Sequence, residues 1–274
     1  MHSRPTPLAA IPDAPVPVPP RVADLTAGRE LTSVWINGLG GVTFRDPGPA
    51  GTEARFVKWT AAGTPEIDLA QEAHRLAWAA AHGAAVPRVL DHGSDAAGSW
   101  LVTAALNGES AVSPRWIAEP ETAARAIGVG LRVLHEQLPV SEAPAAWSIE
   151  RRIAQFEDRV RAGDGPAHWS AEYRQLSVAE ARARLADAPP LDGPVVCHGD
   201  ACAPNTLLDG AGRFLAHVDL QELGVADRWA DLAVAAWSTE WNYGAGFDHL
   251  VYEGYEIAPD PERIAYYRLL WDLS

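Results

Sequence analysis

Asp200, Asn205 and Asp219 are the residues of this sequence whose types and spacing most directly suggest chemistry. They supply an acid, an amide five residues later and a second acid in a following segment. Asp200 could accept the proton of a substrate hydroxyl. Asn205 and Asp219 offer hard oxygen ligands of the kind that hold Mg²⁺ against nucleotide phosphates. That set of roles is the one phosphoryl transfer needs, with a structural turn or a metal-dependent hydrolase as alternatives. The His198-Gly199-Asp200 tripeptide alone carries little weight. The spacing to Asn205 and the delivery of Asp219 by a later segment carry the reading.

Short apolar segments must position these groups. Residues 194–197 precede the polar loop, 206–208 follow it, and 214–218 lead into Asp219, which predicts a loop clamped between short strands. Upstream, 31–36 and 42–45 read as strands joined by the hairpin Asn37-Gly38-Leu39-Gly40-Gly41, and 54–59 as a third strand carrying Lys58. Helical periodicity runs over 67–82, includes Glu72 and stops at Gly83. Residues 89–90 and 100–103 complete a small mixed sheet, and 104–108 form a hinge. Helices are then predicted over 123–137, 149–161, 171–185, 230–240 (entered from Asp227) and 261–273. Protein kinases place a catalytic Asp and a metal-binding Asn at the same spacing and add a metal-binding Asp from a later loop.

The expected organisation is a Pro/Ala-rich extended or disordered arm over 1–22, a nucleotide-binding lobe over 23–103, the hinge at 104–108 and a helical lobe over 109–274. This is an α+β, two-lobed architecture with a cleft between the lobes. The 274 residues, 47% of them hydrophobic and 11 of them Trp, are ample for a packed core. A formal charge of -14 argues against nucleic acid or an anionic membrane as partner and is compatible with a cationic one. No apolar run approaches the roughly 20 residues that span a bilayer, and the N-terminus is too broken by proline for a signal core, so a cytoplasmic protein is expected. The two cysteines, Cys197 and Cys202, read as ordinary thiols.

Lys58 is the only lysine among 22 basic residues. A compact ammonium kept where arginine otherwise prevails points to a job that a planar guanidinium does poorly. Glu72, on the next helix, would hold it against phosphates. Gly38 and Gly40 could cover those phosphates, although their hairpin lacks the Gly-x-Gly-x-x-Gly spacing and a plain turn explains it as well. Asp227 suits a helix N-cap and could also brace the catalytic loop. Asp231 should face Arg228 or that loop, and His198 should hold the loop by hydrogen bonds rather than act as a base. His135 belongs to no motif.

At these residues the chain resembles the aminoglycoside phosphotransferases, enzymes with a protein-kinase-like fold. The likeness runs from Leu31 to the C-terminus through His198-Gly-Asp-x4-Asn205, the segment from Asp219 to Leu232, Lys58 with Glu72, and the ending Tyr266-Tyr267-Arg268-Leu269-Leu270-Trp271-Asp272-Leu273. The ending is most similar to the kanamycin and neomycin 3'-phosphotransferases, with the streptomycin 3''-enzymes close behind. The resemblance implies a small N-lobe with a mixed or antiparallel sheet and a larger helical C-lobe. It also implies ATP as donor, with GTP left open, and Mg²⁺ on Asn205 and Asp219 with Asp200 as base. Lys58 would contact the α and β phosphates, and adenine would meet the backbone of Ala104 and Leu106 with Thr103 behind it. A cationic aminoglycoside would be phosphorylated at its 3'-hydroxyl, conferring resistance, by a monomer or weak dimer. Acids for its ammonium groups would come from Glu157, Asp158, Glu222, Glu240, Asp272 and Ser274. The chain departs from many relatives at Gln221-Glu222, where they read Gly-Arg, and at Ala203, where some carry an acid. A kinase of choline, homoserine or another small alcohol, and a nucleotide-binding protein without turnover, are the alternatives.

Overall fold

Asn37 closes the first hairpin of the chain by its side chain, accepting the N–H groups of Leu39 (3.1 Å) and Gly41 (2.8 Å) at Oδ1. The computed structural model describes residues 9–274, which fall into two compact units: one runs to Ala81 and includes Val86–Asn107, and the other comprises His82–Ala85 and Gly108–Ser274. The first contains β1 (Ala9–Ala10), α1 (Pro20–Leu25), β2 (Thr32–Asn37), β3 (Val42–Asp46), β4 (Arg55–Ala61), α2 (Leu69–Ala81), β5 (Val89–Ser94) and β6 (Gly98–Ala104). Its sheet has the order β1-β2-β3-β4-β6-β5. Every pairing is antiparallel rather than mixed, which the short β2–β3 and β5–β6 connections require of those pairs.

Alternation along these strands sends Val42, Phe44, Val57 and Val102 into one apolar cluster with Val22 and Trp100. Lys58, next to Val57, therefore projects from the opposite face. At the end of β3 the buried Asp46 accepts hydrogen bonds from both Arg29 nitrogens (2.8 and 2.7 Å), from Arg55 Nε (2.7 Å) and from Gly48 N (2.9 Å).

The expected arm over 1–22 is more structured than its composition suggests. Residues 1–8 lie outside the described residues, but β1 pairs with β2, and Pro20 occupies the first turn of α1, where its fixed φ suits a helix start. Burial of Val22 and a bond from Arg55 Nη2 to Leu25 O (3.0 Å) hold α1 in place. Apolar anchors thus override a proline-rich composition.

The second unit contains β7 (Glu109–Ser110), α3 (Pro114–Ala118), α4 (Pro120–Gln137), α5 (Ile149–Arg161), α6 (Val178–Ala186), β8 (Pro194–Cys197), β9 (Thr206–Leu208), β10 (Phe214–His217), β11 (Gly224–Asp227), α7 (Trp229–Tyr243), α8 (Asp248–Tyr255) and α9 (Pro261–Leu273). Two small sheets, β10-β9-β7 and β11-β8, carry the polar loops. Helices α4 and α8 approach so closely that a Cβ at Gly128 would stand 2.1 Å from Val251 O, and one at Gly254 2.2 Å from Arg125 O. Glycine at both contact points is what allows the crossing.

Two expected elements differ. The helix placed at 171–185 begins only after Ser177, whose Oγ accepts Glu180 N while the Glu180 carboxylate accepts Ser177 N, a capping box that fixes the start. Residues 224–227, read as the approach to a helix, form β11 instead, because their backbone pairs antiparallel with β8.

Candidate active site

Strand β8 delivers His198-Gly199-Asp200, and a turn of 3₁₀ helix over Ala203–Asn205 brings the amide back. Asn205 Nδ2 donates to Asp200 O (2.9 Å) and to Asp200 Oδ2 (3.1 Å), and the Cys202 thiol donates to Asp200 Oδ1 (3.1 Å). Both carboxylate oxygens of the half-buried Asp200 are thereby oriented. Strand β10 brings in Asp219, which adopts φ +64°, a left-handed conformation that few non-glycine residues take and that recurs at functional sites. Val218 N donates to Asn205 O (3.0 Å), tying the two segments together. Burial, then the charge of Asp219, pushes the Asp200 carboxyl above its usual range, against the Cys202 and Asn205 hydrogen bonds. Two mutually repelling acids with the oxygen end of the Asn205 amide form a hard-oxygen donor set of the sort Mg²⁺ takes.

The loop is held from below by Asp231, in the first turn of α7. Its Oδ2 accepts His198 N (2.6 Å) and its Oδ1 accepts Gly199 N (2.9 Å). Burial alone would raise this carboxyl, but the His135 hydrogen bond leads the interactions that hold it below the ordinary range. Seven and eleven residues further along the same helix face, Ser238 Oγ accepts Ala203 N (2.8 Å), and Asn242 Nδ2 donates to Ser238 O (2.8 Å). The spacing Asp231, Ser238, Asn242 is a signal that sequence reading could have used. His198 Nδ1 accepts Asp200 N (3.3 Å), so Nε2 carries the hydrogen donated to Val218 O (2.9 Å). Its expected supporting role fits these bonds.

Asp227 meets the first of its two expected roles and not the second. Its carboxylate accepts Trp229 N (3.0 Å) and Asp192 N (2.7 Å), which caps α7 and anchors the 192 turn rather than bracing the catalytic loop. Arg228 pairs with Asp192 (3.5 Å) across Gly193, not with Asp231. His135, Cys197 and Asp231 bring three ligating atoms within 4.8 Å of one another. Burial keeps the Cys197 thiol protonated and both His135 nitrogens are hydrogen-bonded, so this group reads as packing.

In the first unit, Lys58 Nζ meets Glu72 Oε1 at 2.6 Å, with the glutamate side chain only 3% exposed. The pair expected from two isolated charges is therefore formed and desolvated. The glycine hairpin is largely self-satisfied: besides the two amides held by Asn37 Oδ1, Gly40 N bonds Asn37 O (3.0 Å) and Gly40 adopts φ +91°. At the hinge, Ala104 N is spent on Arg88 O (2.9 Å), which leaves the Leu106 backbone as the more available partner for a base; Thr103 lies within β6 opposite Phe56.

The acids expected to meet ammonium groups do not converge as a free set. Glu157 is held by Arg182 through Nε (2.5 Å) and Nη2 (2.8 Å), Asp158 pairs with Arg161, and Glu240 with Arg268 (3.4 Å). Asp272 Oδ2 accepts Ser170 N (2.9 Å), and burial raises its carboxyl. Ser274 is tied to α5 by Arg159 Nη1 to its O (2.9 Å) and Arg152 Nη1 to its Oγ (3.2 Å). Glu222 Oε1 accepts Gln221 Nε2 (2.9 Å), whereas its buried Oε2 has no hydrogen-bond partner. Arg152, unremarked in the sequence, stacks near Trp147 (5.0 Å) and lines a cavity of about 280 Å³ with Cys197 and Gly199. Desolvation lowers its pKa while Glu222 is the foremost acid supporting its charge, so an arginine reaches this region from α5 although position 222 is acidic.

The profile of the phosphotransferase enzyme family matches residues 48–267. An aminoglycoside 3'-phosphotransferase of Streptomyces fradiae is 36% identical over 220 residues, which cover 74% of this chain and 79% of that protein. Among solved structures, an aminoglycoside-3'-phosphotransferase of type VIII superposes with a TM-score of 0.74 at 30% identity, covering 91% of this chain and 97% of the other. Aminoglycoside phosphotransferase APH(3'')-Id of Streptomyces rimosus, solved with ADP and streptomycin, gives 0.70 at 27% identity, covering 92% and 97%.

Proposed function

The chain belongs to the phosphotransferase enzyme family, and from that premise we propose that it transfers the γ-phosphoryl group of ATP to the 3'-hydroxyl of an aminoglycoside, conferring resistance. The observation that carries the reading is the Asp200 carboxylate oriented by Asn205 and Cys202 beside Asp219. Asp200 accepts the hydroxyl proton as the acceptor oxygen bonds to phosphorus and ADP leaves. Burial and the Asp219 charge raise the Asp200 carboxyl, which makes it a better proton acceptor than an exposed carboxylate. Asn205 and Asp219 would hold Mg²⁺, which supplies neutralisation of phosphate charge when bound. Lys58, held by Glu72, supplies a compact cation for the α and β phosphates, and the Leu106 backbone serves the base. A cytoplasmic setting follows from the use of ATP.

Because Glu157, Asp158 and Glu240 are already paired with arginines, recognition of acceptor ammonium groups rests on Asp272 and Glu222. The same pairing favours, as a second reading, a less highly charged alcohol acceptor. Purified protein incubated with ATP, Mg²⁺ and a panel of aminoglycosides should yield a phosphorylated product for at least one member. Turnover of a different alcohol with no aminoglycoside product would overturn the first reading in favour of the second.

A further inference from the structure

Three tryptophans pack against one another between α7 and α9. Trp237 and Trp241, four residues apart on α7, share one face of that helix, with ring centroids 4.7 Å apart. Trp271 of α9 meets Trp237 in a T-shaped arrangement at 6.2 Å and lies closer to parallel with Trp241, at 5.6 Å and 30° between ring planes. Burial accounts for Trp237, which is 5% exposed and also packs on Tyr173 at 6.0 Å. It does not account for Trp241, which keeps 48% of its surface open although two other indoles brace it. A solitary surface tryptophan needs no explanation, but an exposed ring fixed within a cluster is a rigid apolar surface of the kind that binds.

This surface adjoins the candidate catalytic loop. Ser238, next to Trp237, accepts Ala203 N (2.8 Å), and Asn242, next to Trp241, donates to Ser238 O (2.8 Å). Trp241 therefore lies about 4.5 Å of helix rise beyond the point where α7 holds the loop. Of the neighbouring acids, Glu240 is paired with Arg268 (3.4 Å), whereas Asp272, which follows Trp271, has one oxygen on Ser170 N (2.9 Å). A cation already stands over one ring of the cluster, since the Arg268 guanidinium lies 5.7 Å from the Trp237 centroid. We propose that Trp241 and Trp271 form a stacking platform for the acceptor, with a saturated sugar ring against the indole faces and its ammonium groups held by their π surfaces and by Asp272. An indole face attracts an ammonium through its quadrupole and packs against ring C–H groups, so it serves where arginines have neutralised the nearby acids.

This inference rests on the phosphotransferase reading and deepens it, and its test separates the two. KM and kcat for kanamycin, neomycin and streptomycin, and KM for ATP, are measured for the wild type, Trp241→Ala, Trp241→Phe and the exposed control Ile117→Ala, with thermal unfolding of each. A platform binds ground state and transition state alike, so its loss falls on KM. Trp241→Ala should raise the KM of the accepted aminoglycoside roughly tenfold at unchanged ATP KM, and Trp241→Phe should recover most of that loss. Ile117→Ala should match the wild type. An acceptor KM in Trp241→Ala equal to that of the wild type, or a rise shared by the KM for ATP, would overturn the platform. A wild type that turns over another alcohol but none of the three aminoglycosides would instead overturn the acceptor assignment. On that alcohol a roughly tenfold rise in KM for Trp241→Ala would still uphold the platform, and an unchanged KM would overturn it.

Discussion

Replacing Gly199 by alanine is the perturbation whose consequence can be worked most fully from geometry. Gly199 has φ +88°, and a Cβ added there would stand 2.1 Å from Glu222 O, where real contacts require at least 3.0 Å. One of the two segments must therefore move by about 0.9 Å. Glu222 O is held by the Trp147 indole N–H and Gly199 N by Asp231, so the clash strains both anchors and is passed to the loop carrying Asp200. A left-handed alanine costs about 1–2 kcal/mol, and forcing atoms into filled space a further 1–3 kcal/mol. Displacing Asp200 by nearly 1 Å should lower kcat by roughly 100-fold. Gly163 provides the control, because it has φ +98° with nothing within 4 Å of an added Cβ. Gly163→Ala should lose only the backbone term, about 1–2 kcal/mol, and keep its kcat. Denaturant unfolding and steady-state kinetics on both variants give the comparison. If Gly199→Ala matched Gly163→Ala in stability and retained wild-type kcat, the claim that this contact positions the catalytic loop would be wrong.

Lys58→Met should raise the KM for ATP by at least about tenfold and destabilise the protein, since it removes a cation from the buried Glu72; Lys58→Met/Glu72→Leu should recover much of the stability but not the nucleotide use, as paired calorimetry and kinetics would show. Asp46→Asn should destabilise the protein, because Arg29 and Arg55 both lose their carboxylate partner. The Arg29 hydrogen bond holds the folded Asp46 carboxyl well below its unfolded value of about 3.9, so this contribution is complete above that value and is lost as pH falls below it. Stability curves from pH 6 downward, taken in steps of about one unit, should therefore fall less steeply for the variant than for wild type, and equal slopes would remove Asp46 from the acid response.

The candidate catalytic loop was legible in sequence because its logic is local: apolar strands on either side, an acid and an amide at fixed spacing, and β10 leading into Asp219. Lys58 and Glu72 were legible for a similar reason, one lying on a strand and the other in the first turn of the next helix. What escaped depends on partners distant in the chain. Strand β11 is defined by pairing with β8 roughly 30 residues earlier, and nothing in Gly224–Asp227 separates it from a helix entry. His135 carries no spacing signal, since its partners Asp231 and Tyr255 lie about 100 residues away on other helices. Glu157, Asp158 and Glu240 stand on helices as their periodicity suggests, but their neutralisation by Arg182, Arg161 and Arg268 is a property of packing. Helix α1 was hidden by composition, because seven prolines over residues 5–20 outweigh the apolar anchors Val22 and Leu25.

In the proposed reaction Asp200 takes the acceptor proton during transfer of phosphate from ATP to an aminoglycoside. Single-turnover transfer from γ-labelled ATP, measured for the wild type and Asp200→Asn under saturating Mg²⁺ and aminoglycoside, tests it most directly. Wild type should convert its bound nucleotide to phosphorylated aminoglycoside, while Asp200→Asn should bind ATP with unchanged affinity and transfer at least about 100-fold more slowly. Transfer by Asp200→Asn at the wild-type rate would contradict it.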